Sequence, residues 1–439
     1  MIRDIVSIAD LAGATEMADA DPKTKEMQES AVKYWAETGF SEGGIIREVD
    51  YEQESKGLDP MFAGIKIVDT DAHLTEAPDL FTSRAPAAMK DKMPRIKRTD
   101  GRDRWYLGDR DLGATGGNVI RKDNNKLLGR FAFQNLDQSH PGGHELVPRL
   151  QAMDDMGVHA QICYQNSGVT QAGMLMTLDD KELAHTIVRI YNDASAEYQE
   201  TSGQRIFNMA HLPYWDQKAM MAEARRCHDM GLKGFVLPDT PEFVGVPSFM
   251  NDYWTEFLEM CSDTGMPLNF HLNASINPFT MTWKDFEFEQ GLAVVAMMFS
   301  MGNAATMGNW MVSGKLDQHP GLKIGLIESG AGWVPWAVEA LEHQFREMLS
   351  GKRDKLKRSP WEYWHDHFWC TFWFESVGPK DLLHRIGEDK IMFETDFPHP
   401  TSLYPGVQAH LKDVLGGYSY EVQKKVLQDN AVKLYNLPF

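Results

Sequence analysis

Cysteine is scarce. The 439 residues hold four, Cys163, Cys227, Cys261 and Cys370. They lie far apart and form no Cys-x-x-Cys or Cys-x-x-His cluster, which argues against a cysteine zinc site. Cys163 and Cys370 fall in apolar, strand-like runs and read as core thiols. Basic charge is also short, with 44 Lys and Arg against 63 Asp and Glu and a net charge of −19. Such a balance lacks the basic face that nucleic-acid binding requires. The first residues, Met1-Ile2-Arg3-Asp4, lack the charged-then-apolar order of a signal peptide, so a cytoplasmic protein is expected. Long uncharged runs are rare. Gly291 to Gly314 is one, yet it carries Gly302, Asn303, Thr306, Gly308, Asn309 and Ser313. That polarity fits a helix buried in a large soluble fold better than a membrane span. No phosphate loop appears, because Gly113-Ala114-Thr115-Gly116-Gly117 is not followed by Lys and Ser or Thr. Ile327, two residues before Ser329, breaks any Gly-x-Ser-x-Gly nucleophile elbow.

What is present is a steady alternation of short apolar runs and amphipathic stretches. The strand-like runs are Ile65–Asp69, Ala160–Tyr164, Ile206–Ala210, Gly234–Leu237, Leu268–His271, Lys323–Ile327, Cys370–Phe374 and Ile391–Glu394. Helical patterns lie between most of them, at Lys181–Glu200, Gln217–Met230, Asp252–Thr264 and Val334–Leu349, with Tyr420–Leu427 after the last. Strands alternating with helices predict a parallel sheet in an α/β fold. The number of strands suits a (β/α)8 TIM barrel. A doubly wound sheet would want a glycine-rich turn after its first strand, and Asp69-Thr70-Asp71 is not one.

Two regions stand outside the alternation. Residues 1–60 are polar, acidic and weakly periodic, and read as an N-terminal arm with one helical stretch from Asp21 to Thr38. Residues 61–439 read as the barrel. The interval from about 75 to 145 is too long for an ordinary strand–helix loop and reads as an insertion. Arg102 to Asp109 alternates between turn residues and predicts a β-hairpin there, capping the barrel mouth.

The chemistry-bearing residues gather at one end of the predicted strands. Asp71 and His73 are offset by two, so on a strand their side chains share a face. His271 closes the fifth run. Glu328 follows the sixth. Asp396 and His399 follow the eighth, in Glu394-Thr395-Asp396-Phe397-Pro398-His399. In a (β/α)8 barrel the C-terminal strand ends form the active site. Carboxylates and imidazoles converging there predict a divalent-metal site. Each residue also has a plain alternative: a strand-end histidine is often only hydrogen-bonded, and an aspartate before Phe-Pro is often a turn former. Lys233 starts the fourth strand, at the wrong end to join the site. The tryptophans at 361, 364, 369 and 373 read as core and subunit interface. Arg149 reads as a helix-surface salt bridge, with a substrate-carboxylate contact as the alternative.

These residues carry a family resemblance. Ile67 to His73 resembles the first-strand motif of the amidohydrolase superfamily. The chain is most similar to the amidohydrolase-related branch that includes aminocarboxymuconate-semialdehyde decarboxylase and related aromatic-acid decarboxylases. Asp71-Ala72-His73 stands where that branch carries its first-strand pair. His271 matches its metal histidine, and Asp396 its last-strand aspartate. Gly330 to Trp336 resembles its glycine-rich segment, and the similarity spans about residues 65–439. One departure is clear: Ser329 stands where those decarboxylases carry a histidine.

The resemblance implies a divalent metal held by Asp71, His73, His271, Asp396 and Glu328. A carboxylate-rich set accepts manganese or iron as well as zinc, as one or two ions per chain. It also implies a hydrolase or decarboxylase acting on a small carboxylated or carbonyl substrate, with Asp396 moving the proton and Glu328 and His399 assisting. A dinuclear iron or manganese–iron oxygenase is a second reading, since those residues with His399 supply enough ligands for two metals. A non-catalytic partner subunit is the third. A homo- or hetero-oligomer is expected.

Overall fold

The computed structural model describes residues 44–54, 56–129, 133, 135–170, 172–176, 178–271, 283, 285–352 and 355–439. The predicted helix from Asp21 to Thr38 lies outside the described residues. In chain order the strands are β1 (Ile45–Arg47), β2 (Val68–Leu74), β3 (Pro94–Thr99), β4 (Arg102–Leu107), β5 (Arg110–Ala114), β6 (Lys126–Leu128) and β7 (Ala160–Gln165). They continue with β8 (Ile206–Asn208), β9 (Phe235–Val236), β10 (Leu268–His271), β11 (Ile324–Ile327), β12 (Phe368–Phe372) and β13 (Ile391–Phe393).

The architecture is mixed α/β with two parallel sheets. One has the order β2-β7-β8, the other β13-β12-β11-β10-β9. Isolated parallel bridges join them at both edges, Ala210 to Phe235 and Ala72 to Phe397. Backbone hydrogen bonds reinforce these seams. The His73 amide donates to the Phe397 carbonyl at 2.7 Å, and the Asp396 amide to the Asp71 carbonyl at 2.9 Å. Every residue of β2, β11 and β12 is buried. Strands covered on both faces explain the near-continuous apolar runs of the sequence.

Helices pack against the strands, and the starts of several follow from capping side chains. Asp180 accepts the Leu183 amide at 3.1 Å to open Lys181–Thr201. Asp216 accepts the Ala219 amide at 3.0 Å to open Gln217–Asp229. Ser359 and Glu362 form a reciprocal capping box at the start of Pro360–His367. Each satisfies amide groups that a helix cannot pair internally. The uncharged run folds as the helix Phe288–Val312. Among the described residues no helix is long and apolar enough to cross a membrane. The polar residues of that helix have a use. Asn303 is fully buried and donates to the Ile327 carbonyl at 3.1 Å and the Ser329 hydroxyl at 2.9 Å, tying the helix to the end of β11.

Three expectations need correction. The first strand is not Ile65–Asp69 but Val68–Leu74, so it runs through its own polar residues. Its pairing with β7 shifts register between Asp69 and Ala72, an irregularity that apolar periodicity does not reveal. The seventh strand is Phe368–Phe372 rather than Cys370–Phe374. The predicted hairpin at Arg102–Asp109 is the middle strand of a three-stranded antiparallel meander, β3-β4-β5. Asp100 and Gly101, at φ 51° and 77°, make the first turn, the left-handed pair a tight hairpin favours. Trp105 of β4 is buried against Phe81, 6.1 Å between ring centroids, in a core with Leu183 and Ile187 of the Lys181–Thr201 helix. All four cysteines, Cys163, Cys227, Cys261 and Cys370, are buried free thiols.

Candidate metal centre

The C-terminal ends of four strands deliver the predicted residues to one place. β2 carries Asp71 and His73, β10 ends at His271, Glu328 follows β11, and Asp396 and His399 follow β13. His271 Nε2 lies 3.4 Å from Asp71 Oδ1 and 3.2 Å from Glu328 Oε2. His73 Nε2 lies 3.5 Å from Asp71 Oδ1 and 3.3 Å from Asp396 Oδ1. His399 Nδ1 lies 3.1 Å from Asp396 Oδ1. Two groups of convergent ligand atoms result, sharing His73. One is Asp71, His73, His271 and Glu328, and the other is His73, Asp396 and His399; within each group the atoms lie within 4.8 Å of one another.

Neighbouring groups fix how these side chains present themselves. His73 Nδ1 sits 2.9 Å from the Gln165 carbonyl, which can only accept. The Nδ1 proton is therefore committed, and the lone pair of a neutral His73 is on Nε2, facing the carboxylates. Asn166 Nδ2 donates to Thr75 Oγ1 at 2.8 Å and to the Gly117 carbonyl at 3.0 Å. That orientation turns its Oδ1 to His399 Nε2 at 2.7 Å. Thr401 Oγ1 donates to Asp396 Oδ2 at 2.6 Å, leaving Oδ1 for the histidines. Glu328 and Asp396 hold φ of 54° and 57°, a left-handed backbone that non-glycine residues rarely adopt. Such strain persists where the surroundings impose it, and here both residues are site carboxylates.

Burial and mutual repulsion set the electrostatics. Burial pushes Asp71 and Glu328 well above the usual carboxylate range, and Asp396 adds to the push on both. Burial lowers His271 to about 4 and also lowers His73, so both imidazoles stay neutral near pH 7. Asp396 goes the other way. Burial alone would raise it, but the His399 ring against its Oδ1 outweighs burial and holds the carboxyl well below its ordinary value.

The residues fit a divalent cation. Both oxygens of Asp71, Nε2 of His73 and His271, Oε2 of Glu328 and Oδ1 of Asp396 are buried without a hydrogen-bond partner. Unpaired buried polar atoms are costly, and these face one another across one small space. A cation among them would satisfy the whole set and invert the local pKa logic. Neutral imidazoles and oxygen donors match manganese, iron(II) or zinc.

Some participants were not anticipated. Glu394 is fully buried with Oε1 unpaired, and burial followed by the Asp71 charge pushes it well above its ordinary value. Its offset of two from Asp396 was the available sequence signal. Asn166 and Thr401 orient His399 and Asp396, and nothing in their sequence context marks them. Arg149 is neither on the surface nor open to substrate. It is fully buried, with Nε donating to Gln161 Oε1 at 2.7 Å and Nη1 to the Gly142 carbonyl at 3.1 Å. Gln161 Nε2 in turn donates to Asp69 Oδ2 at 2.7 Å. Asp69 thus braces the site from behind rather than joining it, also accepting the Thr395 amide at 2.7 Å and the Thr395 hydroxyl at 2.6 Å. The glycines after β11 wrap the Glu375 carboxylate, which accepts the Ala331 and Gly332 amides. Lys233 bonds the Asn436 carbonyl, away from the centre.

Parallel strands with carboxylates and imidazoles gathered at their C-terminal ends define a metal-site protein of the α/β class. The chain belongs to the amidohydrolase family: the Amidohydro_2 family model, described as Amidohydrolase, matches residues 68–437. It is similar to the gamma-resorcylate decarboxylase of a Rhizobium species, 27% identical over 261 residues, covering 57% of this chain and 76% of that enzyme. The gamma-resorcylate decarboxylase of Rhodococcus jostii is 26% identical over 264 residues with the same coverage. Among solved structures, an amidohydrolase from Mycobacterium avium subsp. paratuberculosis shares the fold with a TM-score of 0.65 and 18% identity, over 85% of this chain and 99% of that one. A 5-carboxyvanillate decarboxylase from Novosphingobium aromaticivorans, solved with manganese and 4-hydroxy-3-methoxy-5-nitrobenzoic acid, does so with a TM-score of 0.59 and 15% identity, over 88% and 99%.

Proposed function

We propose that the chain is a metal-dependent enzyme of the amidohydrolase family, a carboxy-lyase or hydrolase acting on a small carboxylated substrate, with aromatic acids as the favoured class. The observation that carries this reading is the convergence of unpaired ligand atoms from Asp71, His73, His271 and Glu328. The gamma-resorcylate decarboxylases it resembles favour loss of carbon dioxide over hydrolysis. We read the joined parallel strands as a (β/α)8 barrel spanning 61–439, with the insertion at about 75–145 and residues 1–60 as an arm.

Asp71, His73, His271 and Glu328 would hold the metal, with Asp396 beside them. A bound divalent ion supplies Lewis-acid polarisation of a substrate oxygen and charge to anchor a carboxylate. The chain's own part is proton handling. Asp396 Oδ1 stands between His73 and His399, ionised and oriented by Thr401. In hydrolysis it accepts a proton from water. In decarboxylation the electron pair left by the departing carboxyl group takes a proton, which the Asp396–His399 pair delivers. Ser329, which accepts from Asn303, stands where the resemblance puts a decarboxylase histidine, so no imidazole serves from that position. The test is a panel of aromatic acids, including 2,6-dihydroxybenzoate and 5-carboxyvanillate, offered to metal-loaded protein with carbon dioxide release as the readout. Release that is lost in Asp396→Asn supports the reading; no turnover of any aromatic acid, with hydrolysis of amides or esters instead, moves it to the hydrolase branch.

A second reading draws on the two ligand groups that share His73. Two metals at one site fit a dinuclear iron or manganese–iron oxygenase. Iron or manganese at about two ions per chain, with substrate-dependent oxygen uptake, would favour it over the lyase.

A further inference from the structure

Two buried polar side chains meet a small cleft apart from the ligand atoms of the centre. The cleft, apolar where Leu74, Leu80 and Ala194 line it, is also lined by Thr75 and Glu76, just beyond β2, by Asn208 at the end of β8, and by Ser195 of the Lys181–Thr201 helix. Glu76 is only 3% exposed; the Ser167 hydroxyl and amide and its own amide pull on its carboxylate, but none makes a hydrogen bond of ordinary geometry to either oxygen. Asn208 is 5% exposed, and its Oδ1 is likewise unpaired. Among the described residues no Lys, Arg or His side chain reaches Glu76 at ion-pair distance. A buried carboxylate with no counter-charge is costly, and an unpaired amide oxygen beside it adds to the cost.

We propose that this cleft binds one monovalent cation of the sodium or potassium class through the Glu76 carboxylate and the Asn208 side-chain oxygen. The unsatisfied atoms are all oxygen acceptors, which is the donor set of a hard cation rather than of a nitrogen- or sulfur-seeking metal. A single carboxylate with neutral oxygens balances one positive charge, where a divalent ion would leave one uncompensated. The Thr75 and Ser195 hydroxyls offer further oxygens in the same lining. The competing occupant is a proton, since burial pushes Glu76 up to about 7 against the pull of Ser167. The cleft is linked to the metal centre: Thr75 Oγ1 accepts from Asn166, and Asn166 orients His399.

The test is thermal unfolding of the metal-loaded protein at pH 8 and constant ionic strength. Potassium, sodium and rubidium chlorides are compared with tetramethylammonium chloride, a cation too large for the cleft. A saturable rise in melting temperature of about 1–3 °C with the small cations is expected. Glu76→Gln should abolish the rise. Asn208→Asp, which adds a charge, should lower the half-saturating concentration about tenfold. Rubidium-soaked crystals should show anomalous density between Glu76 and Asn208. Equal melting temperatures in all salts, with no rubidium density in the cleft, would overturn the proposal and leave a proton or a water as the occupant. Rubidium density with no melting shift would uphold binding and remove its contribution to stability. None of these readouts depends on turnover, so they stand or fall separately from the function proposed above.

Discussion

The rings of His73 and His399 stack face to face, with centroids 3.7 Å apart and planes at 12°, and the Asp396 carboxylate reaches both. One histidine comes from β2 and the other follows β13, the two strands that meet at a seam of the fold. The arrangement makes Asp396 the shared partner of both rings and sets its Oδ1 in the second ligand group, beside the His73 that both groups share.

Replacing Asp396 by Asn keeps its shape and its bond from Thr401 but removes its charge and its capacity to move a proton. The expected outcome is a fall in turnover of about 100- to 10,000-fold, the range of a lost general acid–base group. Metal content should change far less. Turnover and metal analysis on the same preparation check this; a variant with full turnover would remove Asp396 from proton transfer.

Metal affinity should rise with pH. Burial and neighbouring charge hold Asp71 and Glu328 well above the ordinary carboxylate range, so protons compete for these ligands. Only the ionised form coordinates, so binding releases protons and weakens as pH falls. Titration with manganese at pH 6 and pH 8, in buffers of different ionisation heat, gives both the affinity and the proton count. Glu328→Gln and His271→Ala should each weaken binding by at least about 100-fold.

Much of the centre was legible because its residues follow strand logic. Asp71 and His73 share a strand face, and His271, Glu328 and Asp396 each stand just past an apolar run. The strand at Leu268–His271 has the limits that its composition predicts. What stayed hidden depends on tertiary contact. Arg149 looks like a surface residue on an amphipathic helix, yet the helix Leu146–Met156 buries it against Gln161 and Phe397. Glu394 was legible as a strand end but not as a member of the acidic cluster, because its one signal, an offset of two from Asp396, falls past the end of β13 where strand alternation no longer holds. The third strand of the meander was lost among turn residues around Gly108 and Gly113.

Arg149 should matter for stability rather than substrate affinity. It is the fixed cation behind the site, relayed through Gln161 to Asp69 and stacked on the Phe397 ring at 4.7 Å. Arg149→Met leaves Gln161 and the Gly142 and Phe397 carbonyls short of a donor. A loss of about 2–4 kcal/mol is expected, read as a shift in the denaturant midpoint. A folded variant of unchanged stability with a raised KM would return Arg149 to substrate binding.

His211 supplies a pH dependence away from the metal. Burial lowers it to about 3, against an ordinary value near 6.5. The unfolded chain therefore binds a proton that the folded chain refuses. Stability from this residue is complete above about pH 6.5 and declines as pH falls toward 3, by up to about 1.4 kcal/mol per unit. Denaturant unfolding between pH 4.5 and 7 measures the slope, and His211→Gln should flatten it.

The central claim is that Asp71, His73, His271 and Glu328 hold a divalent metal on which activity depends. Elemental analysis of the purified protein beside His73→Ala and His271→Ala tests it most directly. The account predicts manganese, iron or zinc at a minimum of about one ion per chain in the parent. It predicts near-complete loss in both variants, with activity falling in parallel. Metal-free protein that turns over its substrate, or variants that keep their full metal content, would contradict it.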